Sequence, residues 1–326
     1  MQIRVGTSGF SYAEWCGRFY PEALPAQQML RFYSARLPTV EINNTFYRMP
    51  NEDTVAAWRD EVPDSFCFAV KATRRITHQK KLANVGDDVA HLFRVVDVLG
   101  DKLGPVLFQL PPFLKKDRAL IEEFVKVLPA GRRAALEFRH PSWFVDDVYA
   151  TLSAHNVALV GGDLEESEKS PPLVVTADFG YLRLRQLDYT PVQLADWAER
   201  IAQQQRWQSV FAYLKHEVLG PLFAEALTAA SKGEPMADLS EIRASLAAPK
   251  PKSARAPRAS KSKPAEPPSS QAAKAPVTRN PQASAAPSSR APASRSSKAP
   301  ASKASKAPAA RSSKAPASAS SKSRKA

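Results

Sequence analysis

The sequence predicts an α/β fold, a (β/α)8 TIM barrel followed by a disordered basic tail. Three observations predict it. Eight short apolar, β-branched runs recur over roughly the first 230 residues, and all but the sixth are followed by a helical pattern. Such alternation implies a parallel sheet, and eight units at this length favour a closed barrel over a doubly wound open sheet. The runs also end in polar or charged residues, which is where a barrel carries its chemistry. Finally, the composition changes abruptly at Pro249 into Ala, Ser, Pro, Lys and Arg.

The first strand is Ile3–Gly6, followed by the loop Thr7-Ser8-Gly9 and a helix from Ala26 to Leu37 that Pro38 closes. The second strand, Thr39–Asn43, precedes a helix at about Glu52–Glu61, and the third strand is Phe66–Lys71. A long polar loop leads to a helix over Val85–Leu99, with Gly100 and Gly104 beyond its end. The fourth strand, Val106–Leu110, stops at Pro111-Pro112, and Asp117 can cap a helix to Leu128. The fifth strand, Ala134–Arg139, precedes a helix opened by Asp146 and Asp147 and ending at His155. The sixth strand, Val157–Val160, runs into Gly161-Gly162-Asp163 and then an irregular stretch with a short run at Leu173–Val175. The seventh, Tyr181–Arg185, precedes a helix to Gln205 with Thr190 as cap and Pro191 at its first position. The eighth, Ser209–Lys215, precedes a last helix over Pro221–Ala230. The domain reading is therefore a barrel at 1–232, a linker at 233–248 with room for a short helix, and a tail at 249–326.

The chain of 326 residues carries a net charge of +14, but the charge is divided unevenly. The tail holds 18 Lys or Arg and one acid, Glu266, for +17; residues 1–248 hold 28 basic and 31 acidic residues, for −3. The two cysteines, Cys16 and Cys67, form no disulfide framework. With no apolar run near the roughly 20 residues of a membrane span and no signal-peptide pattern at the N-terminus, a cytoplasmic protein is expected, with nucleoid association as a further option.

The strand ends, in order, are Thr7 and Ser8; Glu41 and Asn43; Lys71; Gln109; Glu137 and Arg139; Asp163; Arg183 and Arg185; Lys215 and His216. Side chains two apart share a face, so Glu41 with Asn43, Glu137 with Arg139 and Arg183 with Arg185 can point inward together. That makes a mixed-charge ring suited to an anionic small molecule. Glu41 and Glu137 are the expected acid and base, with Lys71 as a third catalytic group. Asn43, Gln109, Arg139, His140, Asp163 and Arg183 are expected to bind substrate, and Tyr12 and Trp143 to stack on it. Phe10, Trp15, Phe46 and Tyr47 also follow strand ends. The basic loop Thr73–Lys81 is a candidate phosphate holder. Two other readings stand beside this one. The ring is an internal salt-bridge network, or Glu41, Glu137, Asp163, His140 and His216 supply metal ligands. No HxH or HExxH spacing supports the metal set, and the sequence leaves the cofactor unknown.

Gly6-Thr7-Ser8-Gly9-Phe10-Ser11-Tyr12, Val40-Glu41-Ile42-Asn43-Asn44-Thr45-Phe46-Tyr47, Phe68-Ala69-Val70-Lys71-Ala72, Gln109-Leu110-Pro111-Pro112 and Glu137-Phe138-Arg139-His140-Pro141-Ser142-Trp143 resemble the motifs of the YecE-like family, also called domain of unknown function 72. Thr176-Ala177-Asp178-Phe179 and Tyr181-Leu182-Arg183-Leu184 extend the resemblance, which covers about residues 1–230. It implies a TIM barrel and no settled activity. The family's barrel has been likened to metal-using isomerase and endonuclease barrels, an analogy of fold. The chain departs from the family pattern after the seventh strand, where Arg185-Gln186 replaces a common His-Gly, and on the eighth, where Leu214-Lys215-His216 replaces an aromatic-Asn-Asn run. The family's pattern therefore carries over to Glu41, Lys71, Gln109, Glu137, Arg139 and Arg183.

The tail repeats Ser-Lys-Ala-Pro at 297–300, 305–308 and 313–316 and cannot bury a core. Its pattern resembles the tails of linker histones and bacterial histone-like proteins. Lys298, Lys303, Lys306, Arg311 and Lys314 are candidate contacts to DNA or RNA phosphates, made without sequence readout. A solubilising or incidental repeat is the plainer reading, and no apolar anchor accompanies the charge to favour membrane. The sequence thus points first to an enzyme acting on an anionic or phosphorylated small molecule or nucleotide. Its second reading is a nucleic-acid-associated protein whose barrel reads or cleaves.

Overall fold

A computed structural model of the chain describes residues 1–166, 170–240 and 243. Eight parallel strands close on one another in sequence order: β1 (Gln2–Ser8), β2 (Thr39–Ile42), β3 (Cys67–Lys71), β4 (Leu103–Gln109), β5 (Ala134–Glu137), β6 (Ala158–Leu164), β7 (Phe179–Arg185) and β8 (Ser209–Leu214). Among the described residues, seven α-helices are bounded at both ends: α1 (Met29–Ser34), α2 (Glu52–Glu61), α3 (Gly86–Val96), α4 (Arg118–Lys126), α5 (Asp146–Ala154), α6 (Pro191–Ala202) and α7 (Gly220–Lys232). The barrel closes through β1 against β8, six residues in register from Gln2 opposite Ser209 to Thr7 opposite Leu214.

Local chemistry starts and stops the helices. The Asn51 side chain accepts from Thr54 N (3.0 Å) to open α2, and Asp117 accepts from Leu120 N (3.1 Å) to open α4. Thr190 and Gln193 form a capping box on α6, with Pro191 behind the cap. Gly233, at φ 71°, closes α7 in the left-handed region that glycine adopts without a Cβ clash. Among the described residues no helix follows β6. The stretch back to β7 is tied instead by Thr176 Oγ1, which donates to Val157 O (2.8 Å) and accepts from Leu159 N (2.7 Å). Asn156 and Asp178 exchange two further bonds across it.

Two apolar layers result. Outside, strand and helix residues form one continuous core. Inside, Ala69, Leu107, Ala135, Ala158 and Val160 on β3–β6 face the rings of Phe179, Tyr181, Phe211 and Tyr213 on β7 and β8. Small residues on one side thus make room for rings on the other, which fills a barrel at interior density. Several inward rows then become polar at the strand's C-terminal end. Tyr181 is followed two residues later by Arg183, Leu107 by Gln109, Ala135 by Glu137 and Ala69 by Lys71.

The structure corrects several expected boundaries. Thr7 and Ser8 belong to β1 rather than to a loop. The first helix is a single 3₁₀ turn at Ala26–Gln28 leading into α1. β4 begins at Leu103 and takes Gly104 and Pro105 into the strand, and β6 continues through Gly161, Gly162 and Asp163. Beyond α7, Leu239 is buried in the outer core and Met236 packs against it. Arg243 pairs with Asp188 (3.2 Å) and donates to Tyr189 O. Met236, Leu239 and Arg243 thus pack against the barrel domain. The cations Lys298, Lys303, Lys306, Arg311 and Lys314 lie outside the described residues. Among those that are described, no helix is long and apolar enough to cross a membrane.

Candidate active site at the barrel mouth

The C-terminal ends of the strands hold a buried charge network centred on Arg183. Its guanidinium bridges two carboxylates, with Nη2 2.6 Å from Glu41 Oε1 and Nη1 2.6 Å from Glu137 Oε2. The positions follow from the register. β7 Arg183 lies opposite Gly162 of β6 and Tyr213 of β8, so it points inward above the rings. Glu41 lies opposite Ser8 of β1 and Ala69 of β3, on the same inward face.

Both carboxylates are fully engaged. Glu41 accepts from Ser8 Oγ (2.5 Å), Asn43 Nδ2 (3.1 Å) and Tyr181 OH (2.7 Å) besides Arg183. Burial works against its charge, but Arg183, Arg185 and the Ser8 and Tyr181 hydroxyls hold it below the usual carboxylate range. Glu137 accepts from Gln109 Nε2 (2.7 Å) and Arg139 Nε (3.1 Å) besides Arg183. Burial again opposes its charge and is outweighed by Arg183, Arg185 and Arg139, so its pKa lies well below the usual range. Neither group carries a proton near neutrality.

The cations beside them are not all satisfied. Among the described residues Lys71, Arg185 and Lys215 make no ion pair, and the buried Nε of Arg185 has no hydrogen-bond partner. Lys71 Nζ donates to Gln109 Oε1 (2.7 Å) and sits 4.4 Å from the centre of the Phe46 ring. Burial pushes its pKa down to about 8, helped by Arg183 and Arg185 and opposed by Glu41 and Glu137. Burial and then Arg183 bring Arg185 down to about 10. Lys215 is exposed at the rim, and burial of its stem followed by Arg185 and Arg183 lowers it too. Lys71, Arg139, Arg183, Arg185 and Lys215 thus gather around the buried carboxylates Glu41 and Glu137, with Asp163 at the edge of the group and Glu165, Glu166 and Glu217 lining the outer cleft.

A cavity of about 260 Å³ opens beside the network. Arg139, Arg183, Arg185 and Glu137 line one side, and Phe138, Phe144, Val160, Leu164, Pro112 and Pro171 form apolar walls. It shares Leu164 and Arg185 with a wider cleft of about 590 Å³ that includes Lys215, His216 and Glu217. Gly162 occupies the inward position on β6, where a side chain would stand next to Arg183. A Cβ there would lie 2.0 Å from Arg183 O, and its φ of +141° is strained for any other residue.

Several expected site residues sit elsewhere. Asp163 borders the cavity, but it is one residue out of phase with Gly162 and its carboxylate is taken up on the helix side. It accepts from Tyr189 OH (2.5 Å), Trp197 Nε1 (3.0 Å) and Arg185 N (2.8 Å). Trp143 is fully buried, stacked on Phe138 at 4.6 Å, with Nε1 donating to Leu114 O (2.7 Å), so its ring is closed to a ligand. His140 uses Nδ1 to accept from Ser142 N (3.2 Å), capping the turn Pro141–Trp143. Tyr12 is half-buried near Glu41, its hydroxyl donating to Ser8 O (2.7 Å). Trp15 is buried, while Tyr47 is 82% exposed. In the loop after β3, Arg75 and Lys80 both pair with Asp88 at 2.6 Å, so these two cations are not free for phosphate. The metal set is not brought together. Arg183 stands between Glu41 and Glu137, the Asp163 carboxylate is taken up on the helix side, and His216 Nδ1 accepts from Val218 N and Leu219 N. Among the described residues no three His, Cys, Asp or Glu side chains converge. Tyr181 is a contributor that the strand-end reading missed, while Phe46, one of the rings expected past the strand ends, packs on Lys71. Tyr181 was findable, because it shares the inward row with Arg183 two residues on.

Comparisons with known proteins bear on the same domain. The family described as "Protein of unknown function DUF72" matches residues 4–245. UPF0759 protein YunF of Bacillus subtilis is 31% identical over 160 residues, which is 46% of this chain and 56% of that protein. UPF0759 protein YecE of Escherichia coli K12 is 30% identical over 116 residues, 35% of this chain and 43% of that protein. The matched segments therefore span about half the length of these relatives. A DUF72 family protein from Thermotoga maritima superposes with a TM-score of 0.62 at 26% identity, over 72% of this chain and 98% of that one.

Proposed function

This chain belongs to the DUF72 family of proteins of unknown function, and we propose that its barrel mouth binds a small anionic molecule and acts on it. The observation that carries this reading is the excess of cations around the buried carboxylates. Arg183 already occupies both buried carboxylates, which leaves Lys71 and Arg185 without a direct ion pair among the described residues, while Lys215 stands exposed near Glu217. A buried or half-buried cation without such a pair is costly, and an anionic ligand supplies the missing charge. The cavity beside Arg139 and Arg185 has apolar walls, which suits a carboxylate or phosphate on an apolar or flat body.

The roles follow from the bonding. Glu41 and Glu137 stay ionised and hold Arg183 in place, so they position the site. Lys71, with a pKa of about 8, is the group able to give or take a proton near neutrality. Arg185 and Arg139 hold the anion, and Gln109 fixes Lys71. Calorimetry with a panel of small phosphates and carboxylates tests this. An anion should bind the full chain, and Arg185→Gln should weaken it about ten- to a hundredfold, the loss of a charge-assisted contact. Equal affinity for neutral analogues, or an unchanged affinity in Arg185→Gln, would overturn the reading.

A second reading rests on the tail alone, whose +17 charge favours non-specific binding to nucleic-acid phosphates. It concerns a separate segment and leaves the mouth's chemistry as proposed.

A further inference from the structure

We infer that Lys71 is an imine-forming amine, which condenses with the carbonyl carbon of a bound oxo acid whose carboxylate is held by Arg185 and Arg139. This rests on the anion-binding reading above and names the substrate class. The first support is an arrangement that keeps Lys71 apart from the carboxylates. Gln109 spends its Nε2 on Glu137 Oε1 (2.7 Å), which fixes the amide so that its Oε1 faces Lys71 (2.7 Å). A neutral amide therefore stands where a direct Lys71–Glu137 pair would otherwise lock the amine as ammonium. Glu41 is occupied by Ser8, Asn43, Tyr181 and Arg183. The remaining neighbours are cations or near-neutral groups. Arg183 and Arg185 lie on β7, and His78, packed edge-on to Phe46, follows β3.

The second support is accessibility. Lys71 is partly exposed at the mouth, where a buried structural lysine would be closed off. Lys71 stands beside the cavity rather than in its lining, and the hydrogen-bonded chain Lys71–Gln109–Glu137–Arg139 fixes it relative to the cation that does line it. A pKa near 8 leaves a substantial free-amine fraction at neutral to mildly basic pH. The free Nζ lone pair adds to the ligand's carbonyl carbon while the carbonyl π pair moves to oxygen. The added nitrogen's proton passes to that oxygen through solvent. Loss of water, with a second proton taken from solvent, then leaves a protonated C=N link whose positive charge faces the ligand's own carboxylate. The step consumes one amine and one carbonyl and releases one water, with no change of oxidation state.

Reductive trapping tests it. The full chain is incubated with cyanoborohydride and oxo acids of increasing carbonyl-to-carboxylate spacing, such as pyruvate, acetoacetate and 4-oxopentanoate, and adducts are located by peptide mass mapping. One adduct on Lys71, formed at least tenfold faster than on surface lysines, supports the inference. It should vanish in Lys71→Met and in the charge-preserving Lys71→Arg. Gln109→Glu separates positioning from bulk stability. A carboxylate beside Nζ should raise the midpoint of the pH profile of Lys71 reactivity by a unit or more, cutting trapping about tenfold at pH 7.5. If the acids bind by calorimetry but Lys71 traps no faster than surface lysines, the imine is overturned and anion binding stands. If none of them binds while a small phosphate does, the imine is overturned and anion binding stands; if no anion of either kind binds, both fail. An unshifted profile in Gln109→Glu would overturn Gln109's role.

Discussion

Glu137 holds three donors at once, and that explains both its burial and its role. Replacing it with Gln leaves Arg183 buried with half of its charge unmatched, so Glu137→Gln should destabilise the protein by about 3–5 kcal/mol in denaturant titration. Both carboxylates have folded pKa values depressed below the ordinary 4.5. Their stabilising contribution is therefore complete above about pH 4.5 and is lost as the pH falls below it, which an acid melting series should register. Lys71 behaves in the opposite range. Its folded pKa of about 8 lies below the ordinary 10.5, so its destabilising effect is full below pH 8 and is relieved as the pH rises toward 10.5. The stability gap between wild type and Lys71→Met should shift in favour of wild type over that range. The sequence disclosed which residues end the strands, since charge on an apolar run is conspicuous. It did not disclose that Arg183 would take both carboxylates, because that pairing joins residues 142 and 46 positions apart. Asp163 was misplaced through phase. The inward row on β6 runs Val160 to Gly162, and a glycine has no side chain to reveal it.

At the scale of elements, the eight strands were legible from short apolar runs, α4 and α6 from their caps, and α5 from the acidic pair in its first turn. Boundaries failed where local chemistry and tertiary pairing disagree. Gly104-Pro105 reads as a helix terminator, yet Leu103 pairs with Phe68 and the strand starts there. Leu239 sits in a stretch that reads as linker, and only the folded core shows that it is covered. Shortening the chain to residue 232 should therefore melt lower than shortening it to 248, and Leu239→Ala should cost about 2 kcal/mol. Equal melting of the two truncations would place the domain's end at α7. Gly162→Ala should impair folding more than any exposed substitution, since the methyl would meet Arg183 O.

For the whole molecule, composition alone separated a slightly acidic barrel domain from a strongly basic tail. The tail's contribution is expected to be electrostatic and separable. If about ten of its cations contact phosphates, the full chain should bind duplex DNA with a log–log salt slope near −9, and the 1–248 chain should lose most of that slope. Equal affinity of the two chains would remove the tail as an anchor. The barrel's proposed role rests instead on the mouth, where Glu41 and Glu137 hold Arg183, Glu137 also holds Arg139, and Lys71 and Arg185 make no ion pair among the described residues. The most direct test is a crystal of the barrel domain soaked in selenate and measured for anomalous scattering. A peak within about 3.2 Å of the Arg185 and Arg139 guanidinium nitrogens is the predicted result. Selenate bound elsewhere on the surface, with the mouth unoccupied, would contradict it.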